Sequence, residues 1–333
     1  MLEQAKAAEA AGFDGLGVSD HFAPWFPDGR GSMAWVHLAA AGQVTTKPLG
    51  TGVTPIVHHY HPGVVAQAFM SLEDLYPGRM WLGVGSGESL NETPLGMQWP
   101  EPGEMLERFE AGIDAIDRLF NGETVTVDAG WFKLREAKLY TRAASRPKLY
   151  MSAFGPQAAA IAGKYGDGLW TLGDPEAVPE ILEAYRKACG DSGKGEGEII
   201  LQSGIAWGES DEAALEGARR WKPTQMPEVY RDDIHDPAEM QRLARRANPR
   251  DGGSGGHGDL PAVDRPGRPA GHDQDLRGPG AARAPRRLAS PCYDALALRA
   301  CFTRAFLSRW SLRSRTTPGV TSTHSSSRRN SRA

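Results

Sequence analysis

The sequence predicts an α/β fold built on a parallel sheet, and specifically a (β/α)8 barrel short of two strands. Three observations carry this. Over residues 1–247, strand-like runs alternate with helical ones, the pattern of right-handed βαβ units. Six strand-like runs can be counted, near residues 15, 50, 82, 150, 169 and 202. The polar clusters, Asp20-His21 and residues 86–92, fall just after such runs, where a barrel assembles its active site. Six strands would also suffice for a doubly wound sheet, so the placement of the polar clusters is what favours the barrel. Its full complement of eight leaves two strands unaccounted for.

Each element has a local reason. Residues 2–11 are good helix formers ended by Gly12, a C-terminal signal. Residues 13–19 form a short apolar run into Asp20-His21, a helix is expected over 32–44, and a strand over 49–54. Val65, Ala68, Phe69, Leu72 and Leu75 recur at helical spacing, and Pro77-Gly78 then turns the chain into a strand at 80–85. Met105, Phe109, Ile113, Ile116 and Phe120 mark a longer helix that stops before Asn121-Gly122. Residues 124–132 alternate as an edge hairpin does. Strands at 148–153, 168–171 and 199–207 follow, interleaved with helices at 156–165, 175–189, 211–221 and 237–247.

Of 333 residues, 40% are apolar and 8% aromatic, and nine tryptophans are enough for a sizeable core. A net charge of −3 argues against nucleic acid as a partner. No apolar run approaches the ~18 residues a membrane span needs. The opening residues are helix-like and mixed in charge, unlike a secretory signal. Cys189, Cys292 and Cys301 stand at no metal or disulfide-framework spacing, which fits a reducing, cytoplasmic setting.

The average conceals a break at Ala247. Residues 248–333 hold 15 Arg and 6 Asp with no Lys, Glu, Ile or Met, a net charge of +9 that leaves −12 for residues 1–247. Such an Arg/Gly/Pro/Ser-rich segment cannot build a normal core. Two readings are open: a basic disordered tail that touches acidic surfaces, or translation out of frame of a GC-rich gene, since the residues enriched have GC-rich codons. The apolar patch at 295–310 could form a helix. The expected organisation is therefore a partial barrel over 1–247 and a low-complexity tail over 248–333.

Four segments carry the chemistry. In Ser19-Asp20-His21 an imidazole at a strand's C-terminal end can serve as general base near neutral pH, with the neighbouring acid orienting a ligand. A surface His beside a helix-capping Asp is the plainer reading. Phe22, Pro24, Trp25 and Phe26 follow, and can cover a flat cofactor or shield the barrel mouth. Gly83, Gly85 and Gly87 allow close approach of backbone to a ligand, and Glu88 and Asn91 supply an acid and an amide. The spacing is not that of a dinucleotide fingerprint and no helix of suitable length follows; a tight βα turn explains it equally. Thr51-Gly52-Val53-Thr54-Pro55 reads as a β-bulge. Ala153-Phe154-Gly155-Pro156-Gln157 opens a helix whose N-terminus suits an anion. His58, His59 and His61 have a spacing that tempts a metal reading, but no acidic partner or second ligand shell is evident, so a polar loop and no metal are expected.

Together these segments resemble the luciferase-like superfamily of flavin and deazaflavin oxidoreductases, and within it the branch of coenzyme F-420 (F420)-dependent glucose-6-phosphate dehydrogenases. The resemblance rests on residues 19–25, 51–53, 62–69, 76–79, 83–88, 90–92, 107–109 and 166–168, in order and at matching spacing over about residues 1–247. It implies a (β/α)8 barrel with the deazaflavin at its C-terminal mouth, Asp20 in contact with the cofactor, and His21 taking the hydroxyl proton of an alcohol as hydride passes to the ring. Glu88 would manage the proton at the ring's pyrimidine side, although the roles of His21 and Glu88 can be exchanged. Trp25 would wall the reaction centre, and Gly52-Val53 would form a bulge with a non-prolyl cis peptide behind the ring. Ser86, Gly87 and Asn91 would bind the ring and its ribityl chain, and Phe154, Gly155, Gln157 and Ala158 the phosphodiester. Homodimers are common in the family.

The departures point away from a sugar phosphate. Where the sugar-phosphate enzymes place a Lys soon after a substrate-binding Thr, Thr171 is followed by Leu172-Gly173-Asp174, and the acid would repel phosphate. Arg231 stands where a second basic ligand sits. A neutral alcohol, aldehyde or ketone is the expected small-molecule substrate. The family's first strand precedes the helix at Leu2 and its eighth follows Ala247, so both expected losses open one side of the barrel and expose sheet edges. An FMN-dependent luciferase-like monooxygenase and an inactive truncated remnant are the alternative readings.

Overall fold

The computed structural model describes residues 1–141 and 143–246. The expected boundary at Ala247, the segment 248–333, Cys292, Cys301 and the apolar patch at 295–310 lie outside the described residues.

The chain begins with α1 (Leu2–Ala10), β1 (Leu16–Val18), α2 (Ala34–Ala41), β2 (Leu49–Thr51) and β3 (Thr54–Pro55). It continues through α3 (Pro62–Leu75), β4 (Met80–Gly85), the single turn α4 (Ser89–Glu92) and the long α5 (Pro102–Phe120). A hairpin, β5 (Val125–Asp128) and β6 (Lys133–Ala137), precedes β7 (Lys148–Ser152), α6 (Pro156–Tyr165), β8 (Gly168–Leu172), α7 (Val178–Asp191) and β9 (Glu198–Gln202). Helices α8 (Asp211–Arg220), α9 (Glu228–Arg231) and α10 (Pro237–Arg246) complete the described chain.

The main sheet is wholly parallel, in the order β1-β2-β4-β7-β8-β9, with β3 pairing β4 beyond the end of β2. All six expected strand positions are occupied. Among the described residues no strand pairs the outer edge of β1 or of β9, so the sheet is an open, incomplete barrel. The hairpin is antiparallel, and its second strand lies at Lys133–Ala137, beyond the expected limit of 132.

Strand periodicity sorts side chains between two layers. Leu82, Leu149, Met151 and Leu169 face the helices and join the main core, whereas Trp81, Tyr150, Trp170 and Ile200 form a separate cluster on the sheet's other face. Helix α5 buries Met105, Phe109, Ile113, Ile116 and Phe120 along one stripe, the spacing read in the sequence. Each fully buried aliphatic side chain of this kind contributes about 1.5–3 kcal/mol. The entry to β4 is fixed by the buried Glu73 carboxylate, which accepts from Gly78 N (2.6 Å) and Met80 N (3.1 Å). Gly83 is required by close approach, since a Cβ there would lie 2.1 Å from the Thr51 carbonyl oxygen. The pairing register shows the bulge: Gly50 faces Trp81 and Thr54 faces Val84, four residues against three, and the intervening Gly52–Val53 peptide is cis.

Candidate active site

The strands' C-terminal ends open into a cleft of about 500 Å³. Asp20 and His21 after β1, Gly52, Val53 and Pro55 at the bulge, and Gly85 to Glu88 with Asn91 after β4 supply one side. Phe154 to Ala158 after β7, with Ser152, Trp170 and Gln202, supply the other, and Tyr230 and Arg231 of α9 close over it. The expected cofactor residues Asp20, Gly52, Val53, Ser86, Gly87, Asn91, Phe154, Gly155, Gln157 and Ala158 thus share one cleft.

Asn91 organises the reacting groups. Its Oδ1 accepts from the backbone N–H of Phe22 (2.9 Å) and Ala23 (3.4 Å), which fixes the orientation of the amide. Its Nδ2 then donates to Glu88 Oε2 (3.1 Å) and to His21 Nδ1 (3.2 Å). Glu88 Oε2 lies 3.6 Å from His21 Nδ1. An imidazole and a carboxylate from two strand ends therefore meet, as general acid–base chemistry requires.

Of the two expected places for Trp25, the structure gives the one at the mouth. The side chain is buried rather than among the cleft-lining residues, and packs in a small mouth cluster with Phe26, Leu90, Val229 and Met240. Its ring meets that of His21 at 5.4 Å between centroids, so it holds the imidazole from behind. Asp20 borders the cleft, yet its carboxylate also accepts from Ala34 N (3.2 Å), Thr54 Oγ1 (2.9 Å) and Tyr60 OH (3.4 Å). It thereby caps α2 from outside the helix, and burial pushes its carboxyl pKa up.

Thr171 does not reach the cleft. Strand alternation turns it away from the face shown by Trp170, and its buried hydroxyl has no hydrogen-bond partner among the described residues. Arg231 does line the cleft and pairs with its neighbour Asp232 at 2.7 Å.

The three loop histidines have separate structural tasks. His61 caps α3 by accepting from Gly63 N (3.1 Å), and His58 meets Arg108 Nη1 at 2.8 Å. The expectation that they lack an acidic partner is corrected at His59: its Nδ1 lies 2.7 Å from the buried Oε2 of Glu92, which also accepts from His59 N (3.1 Å). That partner lies 33 residues downstream, beyond the reach of local spacing. Among the described residues no cluster of three or more His, Cys, Asp or Glu is arranged to hold a metal.

Sequence reasoning missed Ser152, Trp170, Gln202 and Tyr230. Ser152 and Gln202 are polar residues at the ends of β7 and β9, a signal that was available; Tyr230 sits on a one-turn helix with no periodicity to announce it.

The chain belongs to the luciferase-like monooxygenase family, whose model matches residues 1–259. Within it, the chain is 36% identical over 253 residues to an F420-dependent glucose-6-phosphate dehydrogenase of Microbacterium testaceum, spanning 73% of this chain and 75% of that protein. A protein of the same description from Beutenbergia cavernae is 38% identical, with 73% and 75% covered. Among solved structures, an F420-dependent secondary alcohol dehydrogenase in complex with an F420-acetone adduct is 32% identical, with a TM-score of 0.70 over 73% of this chain and 76% of that one. A tetrahydromethanopterin reductase from Methanopyrus kandleri (20% identity, TM-score 0.58, 75% of this chain and 77% of that one) shares the fold.

Proposed function

We propose that the chain is an F420-dependent oxidoreductase that moves a hydride between an alcohol or carbonyl substrate and a deazaflavin. The observation that carries the reading is the meeting of His21 and Glu88, 3.6 Å apart, in one cleft with the bulge and the α6 N-terminus.

The cleft fits such a cofactor. The Gly52–Val53 bulge and Gly85 line one side of it, and a Cβ at Gly85 would lie 2.6 Å from Val53 Cγ2, so residue 85 has no room for a side chain. At the far end, Gly155 caps α6 without a side-chain hydrogen bond, and a Cβ there would meet nothing within 4 Å. An anionic tail suits this open helix N-terminus, where backbone N–H groups and the helix dipole favour negative charge. The bound deazaflavin supplies a ring carbon that accepts or gives a hydride.

The chain's own residues handle the proton. His21 would hold the substrate oxygen and exchange its proton, with Glu88 within reach as the second acid–base group. Ser86 and Gly87 would orient the ring from the β4 end, while Asn91 holds the His21 and Glu88 side chains. Trp25 and Tyr230, whose rings meet at 6.0 Å, and Phe154, 5.4 Å from Tyr230, give the mouth an aromatic enclosure that keeps water from the reacting atoms. That enclosure and the pairing of Arg231 with Asp232 favour a neutral alcohol, aldehyde or ketone over a sugar phosphate. A cytoplasmic setting and a homodimer belong to the same reading. Among the described residues no helix is long and apolar enough to cross a membrane, and Cys189 is free and buried.

Absorbance titration of the full chain with F420 and, separately, with FMN tests the assignment. F420 is expected to bind, and secondary alcohols or ketones to turn over with it. Binding of FMN with oxygen uptake and no binding of F420 would overturn it.

A further inference from the structure

The Asn91 amide cannot turn over. Two backbone donors, Phe22 N and Ala23 N, face its oxygen, and exchanging oxygen for nitrogen would set N–H against N–H at both. Its nitrogen therefore points at His21 Nδ1 (3.2 Å) and Glu88 Oε2 (3.1 Å), and both must accept. A neutral imidazole that accepts at Nδ1 carries its proton at Nε2. The geometry points to Asn91 as the positioning residue that fixes the proton of His21 on Nε2. This rests on the reading of His21 as the group that exchanges the substrate proton.

Glu88 and Asn91 act on Nδ1 in opposite directions. Glu88 Oε2, at 3.6 Å, attracts a proton there; the Asn91 Nδ2 group, already a donor, repels one. Asp20, the preceding residue, has its carboxylate tied to Ala34, Thr54 and Tyr60, and Arg231 lines the same cleft and pairs with Asp232. Trp25 packs its ring against that of His21, 5.4 Å between centroids. In the Nε2–H form the imidazole is a ready donor to a carbonyl oxygen. To accept a hydroxyl proton on Nε2, it must first shift its own proton to Nδ1, towards Glu88 and against Asn91. The amide thus biases the resting site towards holding a carbonyl compound, and the carboxylate makes the opposite form reachable.

Selective 15N labelling of histidine in the full chain, without cofactor, reads the tautomer directly from long-range 1H–15N correlations. His21 is identified among the nine histidines by its loss in His21→Gln. The expected wild-type result at neutral pH is a bare Nδ1 and a protonated Nε2. In Asn91→Asp an acceptor replaces the donor, and Phe22 and Ala23 keep theirs. The ring should then be protonated at Nδ1, with its midpoint raised by about 1–3 pH units, the usual effect of an adjacent carboxylate. The acidic limb of the pH profile of kcat/KM should move with it. Asn91→Ser, which deletes the Nδ1 contact without adding charge, should give a mixture of tautomers. A wild-type ring protonated at Nδ1, or a tautomer unchanged in both variants, would overturn the proposal. Failure of F420 to bind would instead overturn the functional reading and leave the tautomer measurement intact.

Discussion

Two of the imidazole–carboxylate pairs among the described residues have acids four residues apart, at Glu88 and Glu92, and imidazoles that follow β1 and β3. Behind the cleft wall, His59 and Glu92 are in direct contact at 2.7 Å, with the carboxylate side chain fully buried. On the wall, His21 and Glu88 stand 3.6 Å apart, each partly exposed, with the Asn91 amide bonded to both. Gly87 separates the two pairs: a Cβ there would lie 2.8 Å from Glu92 Oε1. A short, dry pair holds its partners in direct contact, whereas in the longer pair the amide donates to both partners and keeps them apart. The same two residue types thus form a buried anchor in one pair and, under the proposed function, the acid–base groups in the other.

The largest difference expected between them is in turnover. His21→Ala and Glu88→Ala should lower kcat by about 10²–10⁴-fold, the usual worth of a general acid or base, while F420 affinity changes little in the titration. Unchanged turnover would reduce the outer pair to a structural contact. Stability should respond in the reverse order: Glu92→Ala removes the acceptor facing His59 N and Nδ1 and should cost about 1–3 kcal/mol in chemical denaturation. A comparable loss from Glu88→Ala would erase the distinction.

Asp20 sharpens it through pH. Burial raises its folded-state pKa above the ordinary carboxyl value of 3.8, so the folded chain binds the extra proton between those two values. Stability should therefore fall as pH rises through that window, stay lowered above it, and recover below 3.8. Denaturation midpoints measured across acidic pH should lose this component in Asp20→Asn, and parallel curves would show that Asp20 does not contribute it. The smallest effect belongs to Thr171→Val. Removing a buried, unpartnered hydroxyl should stabilise the fold by at most about 1–3 kcal/mol and leave KM unchanged, and a raised KM would return Thr171 to the substrate site.

The barrel-like strands and the grouping of residues 20–21, 52–53, 86–91 and 154–158 were legible because each cluster directly follows an apolar run. The inner and outer placement of Thr171 and Trp170 was legible in principle from strand alternation, but the resemblance to sugar-phosphate enzymes drew Thr171 into the site. The His59–Glu92 pair and Tyr230 were not legible, because their contacts join distant segments through the fold rather than through spacing. Shielding of the mouth by Trp25 was one of its two sequence readings, but its packing partners Val229 and Met240, from the last described helices, were not legible because they lie far along the chain.

The extra residue at the Gly52–Val53 bulge has a consequence of parity. Leu49 belongs to the helix-facing core, and Val53, an even number of positions later, packs instead with Trp81, Tyr150 and Trp170 on the opposite face. The inserted residue has reversed inside and outside for everything beyond it, which is why Thr54 can bond both Trp35 and Asp20. Deleting one residue at this point would leave every later amino acid unchanged in kind, yet turn Thr54 away from the helix it secures.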